Sequence, residues 1–283
     1  MYSLFWEKSR MDSKDIKGNG KKVAKIKGTM PGTMDMLGIM KEGKDIWKEI
    51  EDRDEDVCEY HISSEVTGLL YFQDMMRLLA ELLRAIVDPT SGWALKFRRN
   101  SPQMAALALA TAGSFRSLMA AYKLVIAGYF LEGHQVLRMV EQWAEVSVVV
   151  EAIPSLSDTI IKEGIREQHK QLACRKSTEY ETLLREMSKT FKNLSRRAHI
   201  TATSIELTAQ PRKGELTLNM AGGAASKELL NKECNTLALM TKNVIRIAGR
   251  NFRTVSTTWL SRLEKIEKIV MEYDKSLSSQ LKT

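Results

Sequence analysis

The sequence contains little proline and little cysteine. Five prolines occur among 283 residues, so few positions interrupt a helix. Alanine, leucine, methionine, glutamate and lysine are abundant, and this mixture favours helices over strands. The three cysteines (Cys58, Cys174 and Cys234) are far apart and form no CxxC pair, which excludes a disulfide framework and a zinc-finger pattern. We therefore expect a mostly helical, cytoplasmic protein with reduced thiols.

The common signatures of catalysis, phosphate binding and metal binding are also missing. The sequence has no GxxxxGK[ST], no strand-borne GxGxxG, no GxSxG, no HExxH and no ExxH. Cys58 and His61 have the spacing of two metal ligands, but the further ligands that a structural zinc needs are absent. We therefore expect no metal and no cofactor, and a protein that is not an enzyme is favoured over an enzyme.

The chain lacks a long uncharged apolar run as well. Its longest apolar stretch, which begins at Pro102, is interrupted by Arg116, Lys123 and Glu132. A helix that spans a bilayer needs about 20 nearly uncharged residues, so we expect no contact with a membrane. The net charge of +8 comes from 43 basic and 35 acidic residues spread along the chain, and this moderate excess alone does not indicate nucleic acid.

Residues 1–59 are predicted to form a flexible basic arm. Glycines such as Gly18 and Gly20 break any periodicity, and lysines dominate between Lys14 and Lys27. No aromatic residue is interleaved with these lysines to stack on bases, so a solvated arm is favoured over one that contacts phosphates. Residues 60–283 are predicted to form a single helical bundle domain.

This domain is predicted to be an all-α, multi-helix bundle with a central buried helical hairpin. Apolar residues recur every three or four positions from Ser64 to Val87, and Ser101-Pro102 is a typical helix start. The hairpin runs from Pro102 to Ile153 with a bend near Gly133, because this stretch is apolar on most sides. Further helices are predicted after Ser157, from Thr178 to Ala198 and from Ser226 to about Ile247.

Two other segments are less regular. Residues 208–226 contain one proline and three glycines and are predicted to be a loop. The segment Val255–Leu281 carries one apolar stripe. This stripe predicts either the closing helix of the bundle or a helix that binds a second copy or a protein partner.

The second hairpin helix carries a single polar stripe, formed by His134, Arg138, Glu141 and Glu145. At 100° per residue these positions share one face, where Arg138 has a glutamate three and seven residues later. The stripe is either a solvated face, a structural polar cluster inside the bundle or a catalytic site. A structural cluster, with Arg138 bonded to Glu141 or Glu145, is favoured because the rest of the helix is apolar.

The second candidate site is the basic segment from Phe191 to His199. Arg196 and Arg197 could bind phosphate while His199 transfers a proton, and these three residues are the catalytic candidates. The alternative is a helix C-terminus, where cations interact favourably with the carbonyl dipole. The sequence favours this second interpretation.

Two stretches carry a resemblance to known proteins. AAYKLVIAGYFLEGHQVLRMVEQWAE (120–145) and FKNLSRRAHIT (191–201) resemble segments of an uncharacterised all-helical prokaryotic family that is distantly similar to HEPN-type bundles. In this resemblance Arg138, Glu141 and His199 match recurrent residues. Arg196 and Arg197 lie closer to His199 than the arginine does in HEPN ribonucleases, so the nuclease motif is not reproduced.

The resemblance implies a helical bundle and suggests a biological setting. Some HEPN-type proteins are ribonucleases or components of toxin–antitoxin and phage-defence systems. We therefore predict a binding or scaffolding protein in prokaryotic stress or phage defence. The alternative is a HEPN-like RNA-binding protein or metal-independent ribonuclease.

Overall fold

The computed structural model describes residues 46–87, 101–198, 209–212, 215–218 and 223–252, with positions 261, 262, 264, 265 and 268. These residues form eight α-helices, which pack together as the predicted all-α, multi-helix bundle. The helices are α1 (Ile46–Ser63), α2 (Thr67–Val87), α3 (Pro102–Ile126), α4 (Phe130–Ala152), α5 (Ser157–Glu163), α6 (Glu167–Cys174), α7 (Thr178–Ala198) and α8 (Lys227–Asn251). A short 3₁₀ turn (Pro154–Leu156) joins α4 to α5.

The predicted hairpin of α3 and α4 lies at the centre of the bundle, but its turn is at residues 127–129, and the predicted bend near Gly133 is wrong because Gly133 lies inside α4. Helix α4 packs against α3, α7 and α8, while α2 packs mainly on α8. Small residues on α3 let α4 approach closely. At Gly113 an added Cβ would lie 2.4 Å from Cε2 of Trp143, so the indole of α4 occupies the space that a side chain would need. This close packing explains why both helices are apolar on several sides.

Side-chain caps define the starts of the two longest helices. Ser101 accepts a hydrogen bond from the backbone N–H of Met104, and Pro102 occupies the first helical position of α3. Ser226 accepts one from the backbone N–H of Leu229 at the start of α8. Both starts agree with the sequence prediction. The first backbone N–H groups of a helix have no acceptor within the helix, and the serine side chain supplies one.

The first helix begins inside the segment that was assigned to the arm. Residues 46–59 belong to α1, so the predicted boundary at residue 60 is wrong for this part of the chain. The acidic face of α1 is exposed, but Val57 and His61 are buried on its other side. The hydroxyl of Tyr129 also donates to Asp54 at 3.1 Å and binds α1 to the hairpin turn. Residues 1–45 of the predicted arm lie outside the described residues.

The predicted loop at 208–226 contains a short β-hairpin. Strands β1 (Ala209–Arg212) and β2 (Glu215–Leu218) pair antiparallel, with Arg212 opposite Glu215. Two residues separate the strands, which is the length of a tight hairpin. The proline within β1 obscured this signal, although an edge strand tolerates proline.

Most of the C-terminal segment Val255–Leu281 lies outside the described residues. Arg262, which is described, forms a bidentate ion pair with the carboxylate of Glu81 on α2, including a bond of 3.0 Å from Nη2. At this position the segment therefore contacts its own bundle.

Helix α3 passes a test of length and composition for a membrane-spanning helix. Its most apolar window has a mean hydropathy of 1.3, and half of that window is buried in the bundle. It is the one helix of the described ranges that passes. Core helices of other proteins pass the same test, so this finding is weak support for a membrane.

A histidine joins three elements at one end of the bundle. His61 is fully buried, its Nδ1 lies 2.7 Å from the carbonyl oxygen of Ile126, and its Nε2 accepts from the N–H of Ala225 at 2.9 Å. These partners require the neutral tautomer with the proton on Nδ1. Burial lowers the pKa of His61, which agrees with the neutral form.

The hairpin turn meets the same junction by a backbone contact. Gly128 has a φ of +83°, and an added Cβ there would lie 2.3 Å from the carbonyl oxygen of Gly223. Only a glycine fits, because both its backbone conformation and its space exclude a side chain.

We expect Gly128→Ala to destabilise the fold more than Gly164→Ala. Gly164 has a similar φ of +81° but has open space where a Cβ would lie. Both variants carry backbone strain of about 1–3 kcal/mol, and Gly128→Ala adds an overpacking cost of about 1–3 kcal/mol. Urea unfolding of both variants measures the difference. Equal losses would show that the contact with Gly223 is not restrictive.

Candidate polar cluster and adjoining grooves

The polar stripe of α4 lies inside the bundle rather than on its surface. The exposed fractions of His134, Glu141 and Glu145 are 0%, 2% and 7%, and Arg138 is half-buried. The stripe is buried because α7 and α8 cover this side of α4. A buried charge is costly unless it is matched, so the contacts of each residue decide what the cluster does.

His134 is bonded to a carboxylate on another helix. Its Nε2 lies 2.5 Å from Oε2 of Glu233 on α8, and both side chains are buried. The sequence analysis did not single out Glu233. A signal was present, because Glu233 falls on the buried face of α8 that also carries Leu230, Leu237 and Thr241. This contact joins α4 to α8 in the core.

Arg138 does not bond to either glutamate of its own helix. Within the described part of the chain its guanidinium instead lies over the ring of Phe191 on α7, 4.8 Å from the ring centroid. The expected pairing with Glu141 or Glu145 is therefore wrong. Helical side chains point towards the helix N-terminus, so Arg138 extends away from glutamates that follow it in sequence. An arginine over an aromatic face forms a favourable cation–π contact.

Glu141 is a buried carboxyl group that has no charged partner among the described residues. Its Oε2 has no hydrogen-bond partner in the described structure. Burial, and then the nearby charge of Glu145, raise the pKa of Glu141 to about 8. The group is therefore protonated near neutral pH, which avoids a buried negative charge.

Glu145 lies where the polar stripe meets the surface. Its carboxylate is 3.4 Å from Nζ of Lys170 on α6, and Lys170 also contacts Glu167 at 3.1 Å. Burial raises the pKa of Glu145, and Lys170 opposes this shift. Glu145 also lines a groove of about 470 Å³ between α6 and α7.

The antiparallel packing of α4 and α7 brings the two candidate sites towards each other. Arg138 of α4 contacts Phe191 near the end of α7, whereas Arg250 of α8 bridges Glu151 near the end of α4 and Glu179 near the start of α7. The final turn of α7 therefore lies towards the beginning of α4, where the polar stripe starts. This proximity was not predictable from either segment alone.

The catalytic candidates are only partly described. Arg196 and Arg197 belong to the last turn of α7, but their side chains lie outside the described structure, as does the whole of His199. The preceding Ser195 is described, and its buried Oγ has no hydrogen-bond partner there. The predicted roles of the three basic residues therefore stay predictions.

A second groove, of about 360 Å³, is apolar. It lies between α3, α4 and α5, and Trp143 and Ile160 are among its lining residues. Leu109, Met139 and Ile161 also line it, and their exposed fractions are 43%, 49% and 44%. None of the described residues that line this groove is charged.

No protein-family profile, no curated protein and no solved structure matches this chain. Within the described ranges no group of three or more histidine, cysteine, aspartate or glutamate residues could hold a metal ion. Both ring nitrogens of His61, which has a metal-like spacing from Cys58, contact backbone groups instead.

We expect the Glu141→Gln variant to gain stability relative to the wild type as the pH rises. The folded wild type keeps the Glu141 proton up to about pH 8, whereas the unfolded chain loses it near its ordinary pKa of 4.5. Its free energy of unfolding therefore decreases between these values, by up to about 1.4 kcal/mol per pH unit. A neutral amide removes this dependence.

Chemical unfolding at pH 5, 7 and 9 measures the effect. Glu132→Gln, at an exposed position on the same helix, is the matched control and should follow the wild type. Parallel curves for the wild type and Glu141→Gln would contradict a buried protonated carboxyl group.

Proposed function

We propose that this protein is a cytoplasmic helical protein that acts by binding or scaffolding and not by catalysis. The observation that carries this proposal is the burial of the polar cluster. His134 and Glu141 are almost inaccessible, so an external substrate cannot reach them, and their positions suit a role in helix packing. The setting in prokaryotic stress or phage defence rests on the resemblance to HEPN-like bundles alone.

The apolar groove between α3, α4 and α5 is the proposed protein-binding surface. Three of the exposed large apolar side chains, Leu109, Met139 and Ile161, converge on this groove. Clusters of exposed apolar residues mark interaction sites more often than isolated ones do. A partner helix that inserts apolar side chains would fit a groove without charged walls.

We expect a photo-crosslinking residue placed at Met139 to give a discrete protein adduct in cells. Adding Ile161→Glu should abolish the adduct, because a charge in the groove opposes the insertion of apolar side chains. The same crosslinker at Leu239, which is 55% exposed on α8, is the control for non-specific capture. Identical adducts from positions 139 and 239, or an adduct that survives Ile161→Glu, would refute this surface.

A second candidate function is RNA binding or metal-independent RNA cleavage. The observation that favours it is the antiparallel packing of α4 and α7, which brings the last turn of α7, containing Arg196 and Arg197, to the end of α4 where the polar stripe starts. His199 follows in the sequence and would transfer the proton.

If this second function is correct, we expect the protein to cleave RNA without added metal. The wild type would then cleave mixed RNA in EDTA, whereas a folded His199→Ala variant would bind RNA without cleaving it. Gel analysis of the RNA and circular dichroism of the variant measure both properties. Cleavage by both proteins would assign the activity to a contaminant or to another site.

A further inference from the structure

A polar groove separates α6 from α7 and is distinct from the apolar groove. Its volume is about 470 Å³, which lies within the range of about 300–1,000 Å³ typical of small-molecule sites. The wall formed by α7 carries Ser188, Lys189, Lys192 and Asn193. Glu145, at the surface end of the buried stripe, also lines the groove.

The carboxylates of this groove already have cationic partners. Glu145 and Glu167 both contact Nζ of Lys170, at 3.4 and 3.1 Å. Glu181 contacts Arg185 at 2.5 Å. These three carboxylates share two cations, Lys170 and Arg185, and the two further lysines of the groove bring its described lining to four cations against three carboxylates.

Two lysines are left without such a partner. Lys189 and Lys192 are exposed and form no ion pair with a described residue. They lie three positions apart on α7, so their side chains share one face of the helix. Ser188 and Asn193 add a hydroxyl and an amide as neutral hydrogen-bond donors beside them. Two adjacent cations and two neutral donors match a phosphate group, which accepts several hydrogen bonds and carries negative charge.

We propose that the groove between α6 and α7 binds a phosphate-bearing ligand, with Lys189 and Lys192 as its phosphate contacts. None of the described residues that line the groove is aromatic, so we expect binding to depend on the phosphate and not on base stacking. The same chemistry occurs in free nucleotides and in the backbone of single-stranded RNA. The proposal does not depend on the protein-binding groove or on catalysis.

The test measures the binding of three probes to the full chain: inorganic phosphate, AMP and a fluorescent single-stranded 12-mer RNA. The variant is the double substitution Lys189→Gln and Lys192→Gln. Its matched control is Lys227→Gln with Lys232→Gln, which removes the same charge from exposed positions on α8. Thermal unfolding confirms that both variants keep the wild-type stability.

We expect the Lys189/Lys192 variant to lose at least tenfold in affinity at low salt, and the control to retain the affinity of the wild type. If RNA is the source of the phosphate, the slope of log affinity against log salt should also decrease by about 0.7 for each lost phosphate contact. Binding of AMP or phosphate, with the same loss in the variant, would assign the groove to a small ligand. Equal weakening in both variants, or no binding of any probe by the wild type, would overturn the proposal.

Discussion

The burial of α4 is the constraint on which the rest of this bundle depends. The helix carries polar side chains along a face that three other helices cover, so these groups must find partners outside their own helix. His134 meets a carboxylate of α8, Arg138 meets an aromatic ring of α7, and Glu145 meets a lysine of α6. The contacts act together, because each joins α4 to a different neighbour and thereby restricts the rotation of α4 about its axis. Removing one partner would leave a buried polar group without a hydrogen bond or an opposite charge. The free-energy cost of that unpaired group exceeds the net stabilisation that the contact provides.

Glu141 is also a buried polar group of α4, but it is accommodated by protonation and not by a partner on another helix. It has no charged partner among the described residues, and burial raises its pKa, so the group holds a proton and avoids a buried charge. Buried groups with shifted pKa values often occur at active sites, but they also occur in structural networks. Here the exposed fraction of Glu141, which is only 2%, favours the structural role. Two grooves of the described structure are open to solvent, one apolar and one lined by lysine, arginine and glutamate side chains.

The elements that could be predicted from the sequence are those determined by residues close together in the chain. The apolar period of α2 and the serine caps of α3 and α8 depend on residues within one helix, and the structure agrees with them. The partner of Arg138 was not predictable, because it depends on how α7 lies against α4. Residues 46–59 of α1 were assigned to the arm because the run Glu49–Glu59 is strongly acidic. Its buried positions, Val57 and His61, are one turn apart and were the available signal.

The histidine at the junction has a consequence for the order in which the chain assembles during synthesis. Helix α1 leaves the ribosome first, yet the two backbone partners of the His61 ring follow 65 and 164 residues later. The imidazole can therefore lose its hydration only after most of the protein has been translated. Loop closure over such a distance is slow compared with helix formation. Helix α1 is therefore synthesised before the partners of His61 and can complete its junction with them only after the segment that contains Ala225 has been translated.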